Sequence, residues 1–139
     1  MARILAVDYG EKRTGIAVTD PLQIIANGST TADTKGLFAF LDEYLGREEV
    51  ERVVIGYPKT LRNELAKVVS EIDKFLAKFS AKYPKIEVVK IDERFTSKMA
   101  FQTMIDSGIG RKARQNKALI DQISATIILQ GYMESVKKN

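Results

Sequence analysis

The sequence predicts one α/β domain: a mixed sheet with helices packed over it. Three observations lead there. Two short runs rich in Val, Ile and Ala, Arg3–Asp8 and Thr14–Thr19, flank a glycine-bearing turn, which is the pattern of an antiparallel hairpin. Beyond them, short apolar runs alternate with stretches whose apolar residues recur at helical spacing. The 139 residues, 45% hydrophobic and 29% charged, suit a single globular domain spanning residues 1–139.

Each element has its own signal. Gln23–Thr30 reads as a third strand, weaker than the first two. Asp33 or Thr34 can cap a helix over Lys35–Arg47, where Leu37, Phe40, Leu41, Tyr44 and Leu45 share one stripe. Arg52–Ile55 reads as a buried strand that Gly56-Tyr57-Pro58 ends. A long helix follows over Asn63–Lys82, with Leu65, Val69, Ile72, Leu76, Phe79 and Tyr83 as its apolar stripe. Pro84 stops it, and Ile86–Ile91 forms another strand. Thr96 or Ser97 can open a helix that ends at Ser107, before Gly108. A basic, irregular stretch, Ile109–Asn116, leads into a last helix over Lys117–Val136.

Composition narrows the chemistry. There is no cysteine, so disulfides, thiolate nucleophiles and zinc–sulfur sites are excluded. There is no histidine either, which removes the commonest general base and metal ligand. Lysine and arginine exceed acids by 22 to 18, for a net charge of +4, a mild bias toward polyanionic partners. No apolar run reaches membrane-spanning length and no signal-peptide pattern opens the chain, so the expectation is a cytoplasmic protein with no membrane partner.

Three acids stand where acids are costly. Asp8 ends a strand that is apolar on both faces: Ile4 and Ala6 share its face, while Leu5 and Val7 line the other. The strand ending in Asp92-Glu93 puts Glu93 on the face of Val89 and Ile91, and Asp92 on that of Val88. One of this pair can turn toward Asp8. On the last helix Asp121 shares a stripe with Ala125, Ile128 and Tyr132, nearly opposite the polar stripe of Gln122, Thr126, Gln130 and Lys137. Helix-dipole relief of about 0.3–1 kcal/mol falls short of the several kcal/mol that burying a free charge costs.

A shared cation resolves all three at once. Hard oxygen donors without nitrogen or sulfur suit Mg²⁺ or Mn²⁺, one or two per site, and the chemistry that fits is metal-assisted phosphodiester hydrolysis. Singly, blander roles compete: Asp8 as a turn cap, Glu93 paired with Arg94 or Lys90, Asp121 paired with Arg13 or Arg111. Jointly these need three separate explanations, and the cation needs one.

The stretches "DYGEKRTGIAVTD" (Asp8–Asp20), "GYP" (Gly56–Pro58), "DERFTS" (Asp92–Ser97) and "IDQISATIILQGYM" (Ile120–Met133) resemble, in order and spacing, the motifs of the bacterial pre-16S rRNA nuclease family, also called Holliday junction resolvases. The resemblance covers nearly the whole chain. It implies a ribonuclease H-like fold, with a five-stranded mixed sheet, three strands antiparallel, and helices on both faces. It also implies a metal-dependent endonuclease whose acids match Asp8, Glu93 and Asp121, so it selects Glu93 over Asp92. Ser124 stands where alanine is usual in the family, beside the last acid.

Basic residues flank the acids: Lys12 and Arg13 after Asp8, Arg94 after Glu93, and Arg111, Lys112 and Arg114 before the last helix. They are candidates for holding nucleic-acid phosphates, against the alternative of a solvated turn and a solvated loop. No aromatic cluster suits base stacking in the manner of single-strand binders, so readout of shape and backbone is expected rather than readout of sequence. The substrate that the resemblance implies is structured or single-stranded RNA, that is pre-16S rRNA trimmed at its 5′ end, with branched DNA as the alternative. No dimer-forming device is evident, and a resolvase cutting two symmetric strands wants a two-fold dimer; the expectation is a monomer or weak homodimer. Two rivals remain: a phosphotransferase of the sugar kinase–actin type, whose acid–glycine hairpin is similar but which needs two lobes, and a non-catalytic RNA-binding assembly factor.

Overall fold

The structure is a computed structural model that describes residues 2–57, 63–92 and 117–137, with side chains omitted at 28–29, 63–66, 92, 117–122 and 137. Strands β1 (Arg3–Asp8), β2 (Arg13–Thr19), β3 (Ala26–Asp33), β4 (Val50–Tyr57) and β5 (Glu87–Asp92) form one sheet in the order β3-β2-β1-β4-β5. The first three run as an antiparallel meander, and β1, β4 and β5 are mutually parallel. A 3-10 turn (Thr34–Gly36) leads into α1 (Leu37–Arg47); α2 (Asn63–Lys82) joins β4 to β5, and α3 is Lys117–Lys137. This is the mixed, helix-covered sheet the sequence predicts.

The sheet has two cores. Leu5, Val7, Ile16, Val53 and Ile55 pack against Leu37, Leu41 and Tyr44 of α1 and Ile72, Phe75, Leu76 and Phe79 of α2. Ile4, Ala6, Ala17 and Val54 face the other way, onto Ala125, Ile128, Leu129, Tyr132 and Met133 of α3. Period-two alternation on β1 therefore feeds both cores, which is why the strand reads as apolar throughout. Each fully buried Leu, Ile, Phe or Met side chain contributes about 1.5–3 kcal/mol, so the central strand is pinned from both sides. Arg52 ties β4 to α3, its guanidinium donating to the Tyr132 hydroxyl at 2.6 Å.

The helix over Asn63–Lys82 has the predicted bounds, and the other predicted elements differ mostly by a residue or two at their ends. The clear correction is the third strand, which spans Ala26–Asp33 rather than Gln23–Thr30. The Asp20 carboxylate accepts hydrogen bonds from the backbone N–H groups of Leu22, Ile24 and Ile25, so these residues are committed to a turn. Gln23 sits in the left-handed region at φ 58°, a conformation no strand accommodates. The same bonds hold the Asp20 carboxyl below its usual pKa, the bond from Ile25 being the largest cause.

The predicted caps are corrected too. Asp33 precedes the 3-10 turn but makes no side-chain cap bond. The hydroxyl of Thr34 donates instead to the Gly10 carbonyl at 2.6 Å and lies 2.9 Å from the Thr14 hydroxyl. β4 extends at both ends of the predicted Arg52–Ile55, because Val50 pairs with Arg3 and Tyr57 with Asp92. On α2, Phe75 joins the buried stripe although the sequence pattern leaves it out. The predicted helix opening at Thr96 or Ser97 and the basic stretch Ile109–Asn116 lie outside the described residues. No helix among the described residues is long and apolar enough to cross a membrane.

Candidate active site

Asp8 ends β1 at the carboxyl edge of the parallel strands, where open α/β sheets bind their ligands. Its position alternates with Ile4 and Ala6, which pack on α3, so Asp8 belongs to the α3 face of the sheet. The strand register adds a feature that the sequence does not display. Asp8 pairs directly with Gly15 of β2, and one step beyond the Val7–Ile55 pair β4 presents Gly56. Paired residues on adjacent strands share a face. On both sides, then, the neighbour of Asp8 carries no side chain.

α3 crosses the same face. Ala125, Ile128 and Tyr132 are all buried against the sheet. Asp121 occupies the helix position one turn before Ala125, on the stripe that these residues define. Val89 and Ile91 of β5 also pack on this core, while Val88 packs on the opposite one. The predicted alternation of β5 is therefore observed up to Ile91. Glu93, Arg94, Arg111, Lys112 and Arg114 lie outside the described residues, as does the side chain of Asp121. Among the described residues no three acids converge on one point. Ser124 is buried at 1% exposure, one helical turn after Asp121.

The turn after Asp8 is tightly built. A Cβ at Gly10 would lie 2.3 Å from the Arg13 carbonyl oxygen, so only glycine fits there. Thr34 closes the turn from outside: besides its hydroxyl contacts, its backbone N–H donates to the Lys12 carbonyl at 3.0 Å. Glu11 is held by Lys67 of α2 at 2.7 Å, and the lysine lowers its carboxyl pKa. Lys12 is left exposed, and Arg13 opens β2 opposite Asp33 of β3. The two basic residues are thus carried on a braced turn beside Asp8.

The donor chemistry here suits a hard cation. With no histidine or cysteine in the chain, carboxylates, carbonyls and hydroxyls are the available ligands. The neighbours of Asp8 on both adjoining strands, Gly15 and Gly56, place no competing side chain beside its carboxylate.

Sequence pattern missed the aromatic residues on the other side of this edge. Tyr9 lies 5.7 Å from Phe75 by ring centroids, and Phe75 lies 5.2 Å from Phe38. Three separate elements supply these rings, so no run in the sequence could reveal them.

The family described as "RuvX: Holliday junction resolvase" matches the chain over residues 2–135. A protein of Flavobacterium psychrophilum named "Putative pre-16S rRNA nuclease" is 56% identical over 133 residues, covering 96% of this chain and 97% of its own. One of the same name from Phocaeicola vulgatus is 54% identical over 137 residues, covering 99% of each. Among solved structures, T. thermophilus RuvC in complex with a Holliday junction substrate has a TM-score of 0.61 at 18% identity, covering 99% of this chain and 96% of that one. That likeness shows the fold, the ribonuclease H-like arrangement that the motifs imply.

Proposed function

Because the chain belongs to the RuvX family, we propose that it is a nuclease hydrolysing phosphodiester bonds, acting in the 5′-end processing of pre-16S rRNA in the cytoplasm. The observation that carries the reading is the placement of Asp8. It is an acid at the carboxyl end of the central strand, flanked by glycines, on the face that α3 crosses.

In this reading Asp8, Glu93 and Asp121 together hold Mg²⁺ or Mn²⁺. Such a cation, when bound, supplies Lewis-acid polarisation of the scissile phosphate and makes a nearby water more acidic. The protein's own part is positional. β1 and α3 carry Asp8 and Asp121 on rigid elements that meet across one core, and the alternation seen along β5 supports Glu93 rather than Asp92 as the third ligand. Lys12 and Arg13, with Arg94, Arg111, Lys112 and Arg114, bind phosphates of the strand and oppose the charge that develops on the scissile group. The protein works as a monomer or weak homodimer.

The test is direct. Purified protein is incubated with a single-stranded RNA carrying the 5′ flank of 16S rRNA, in Mg²⁺, in Mn²⁺ and in EDTA. Cleavage is expected with either ion and not in EDTA, and Asp8→Asn is expected to abolish it while keeping the fold. Cleavage that persists in EDTA, or in Asp8→Asn, overturns the metal-carboxylate site. Preferential cutting of a four-way DNA junction would favour resolvase activity instead.

A further inference from the structure

The edge of the sheet that ends in Asp8 has a second side. Tyr9, the next residue, falls on the opposite face, where β1 meets α1 and α2. There a cleft of about 370 Å³ opens, lined by Tyr9, Phe38, Phe75, Glu71, Lys74 and Lys78. Tyr9 and Phe38 are half-exposed at its mouth, and Phe75 is buried at 6% exposure as its floor. The three rings are tilted against one another by 39° and 52°, so they present faces and edges rather than a closed stack.

Charge surrounds this aromatic floor. Lys67, Glu71, Lys74, Lys78 and Lys82 lie along one stripe of α2 at steps of four, three, four and four residues. The stripe runs about 22 Å at the helical rise per residue. Its end lysines are committed, Lys67 to Glu11 at 2.7 Å and Lys82 to Asp42 at 2.6 Å. Lys74 and Lys78 make no salt bridge with a described residue. Lys78 instead lies over the Phe38 ring, 4.7 Å from its centroid. An exposed cation–π contact is worth only about 0.5–1 kcal/mol, so a phosphate can draw the ammonium away cheaply.

We propose that this cleft is a nucleotide subsite: it takes one unpaired base of the single strand being processed, with the adjoining phosphate on Lys74 and Lys78. The proposal rests on the nuclease reading for the identity of the strand. Its own warrant is local. Aromatic faces bind any base by stacking, and the rim lysines Lys74 and Lys78 supply the charge complement for the backbone. Glu71 is the one acid in the cleft. It repels phosphate, so it faces the base, where its carboxylate accepts a hydrogen bond from an exocyclic amino group. An adenine is therefore preferred there to a uracil. Since Tyr9 adjoins Asp8 in the chain, a strand seated in the cleft crosses the sheet edge beside the acid, and the subsite fixes its register.

The experiment reads binding separately from cutting. A single-stranded RNA carrying 2-aminopurine at successive positions is titrated with the full chain in EDTA. Quenching is expected at one or two adjacent positions. Tyr9→Leu and Phe38→Leu, checked for folding by thermal melts, are expected to lose that quench and to bind roughly tenfold weaker. The double variant Lys74→Gln, Lys78→Gln leaves the core untouched and is expected to flatten the slope of log affinity against log salt by about 0.7, for the one phosphate no longer neutralised. Glu71→Ala is expected to erase the preference for adenine over uracil at the quenched position. Unchanged quench, affinity and salt slope in the ring and lysine variants overturn the subsite, even if the parent cuts RNA with metal. Loss of quench in the same variants supports it, even if no metal yields cleavage and the nuclease reading falls.

Discussion

Asp8 of β1 stands directly opposite Gly15 of β2 in the antiparallel ladder. Adding a Cβ at that position would intrude on the face that the carboxylate occupies. Gly15→Ala is therefore expected to cost no more than about 1–3 kcal/mol in stability, and to lower kcat/KM for RNA cleavage about tenfold or more through displacement at the reacting centre. Gly46→Ala is the control, since open space surrounds Gly46 on α1. Equal activity in both variants would show that the space beside Asp8 is not used.

Sequence alternation expects Asp92 and Glu93 on opposite faces. Val89 and Ile91 pack on the α3 core and Val88 on the other. Glu93→Gln is thus expected to abolish metal-dependent cleavage, while Asp92→Asn costs far less. The reverse ranking, measured on the same RNA, would mean that the chain leaves β5 out of register with this reading.

Asp121 offers a stability test in the absence of metal. Acids crowded at one site repel one another, so removing one charge relieves the rest. In EDTA, Asp121→Asn is expected to melt at the same temperature as the parent or higher. A clear drop would instead identify Asp121 as a structural ion-pair partner.

The basic stretch before α3 carries Arg111, Lys112 and Arg114. Replacing all three by alanine is expected to weaken RNA binding across unrelated sequences and to flatten its salt dependence, because fewer counterions are released. A slope identical to the parent's, measured by filter binding from low to high salt, would remove this stretch from the interface.

Asp42 joins the two helices of one sheet face. Its carboxylate accepts from Lys82 at 2.6 Å and from the Tyr83 hydroxyl. The lysine bond first, then the tyrosine bond, lowers the Asp42 pKa, and the same contact pushes Tyr83 up to about 12. A carboxyl lowered in the folded state adds stability above its unfolded value, which is lost as pH falls through the folded one. A phenol raised in the folded state adds stability below its unfolded value of about 10, lost as pH rises toward 12. Asp42→Asn is expected to reduce the pH dependence of unfolding at both ends. Denaturant titrations from pH 2 to 7 and above pH 10 would detect this; parallel curves for parent and variant would contradict it.

What the sequence determined by itself were features of short range. The alternation of β1 announced burial on both faces, the stripe of α3 put Asp121 in line with Ala125 and Ile128, and the absence of histidine and cysteine confined any metal site to hard oxygen ligands. Periodicity carries this information because each residue's face follows from its own element's geometry. Only the tertiary structure decided the rest. The glycines beside Asp8 depend on the register of three strands, and the start of β3 depends on an Asp20 carboxylate that claims three backbone donors of the preceding turn. The cleft of Tyr9, Phe38 and Phe75 draws on β1's end, α1 and α2, residues 29 and 37 positions apart in the chain. Such neighbours are set by which cores the helices bury against the sheet, and no local pattern records that choice.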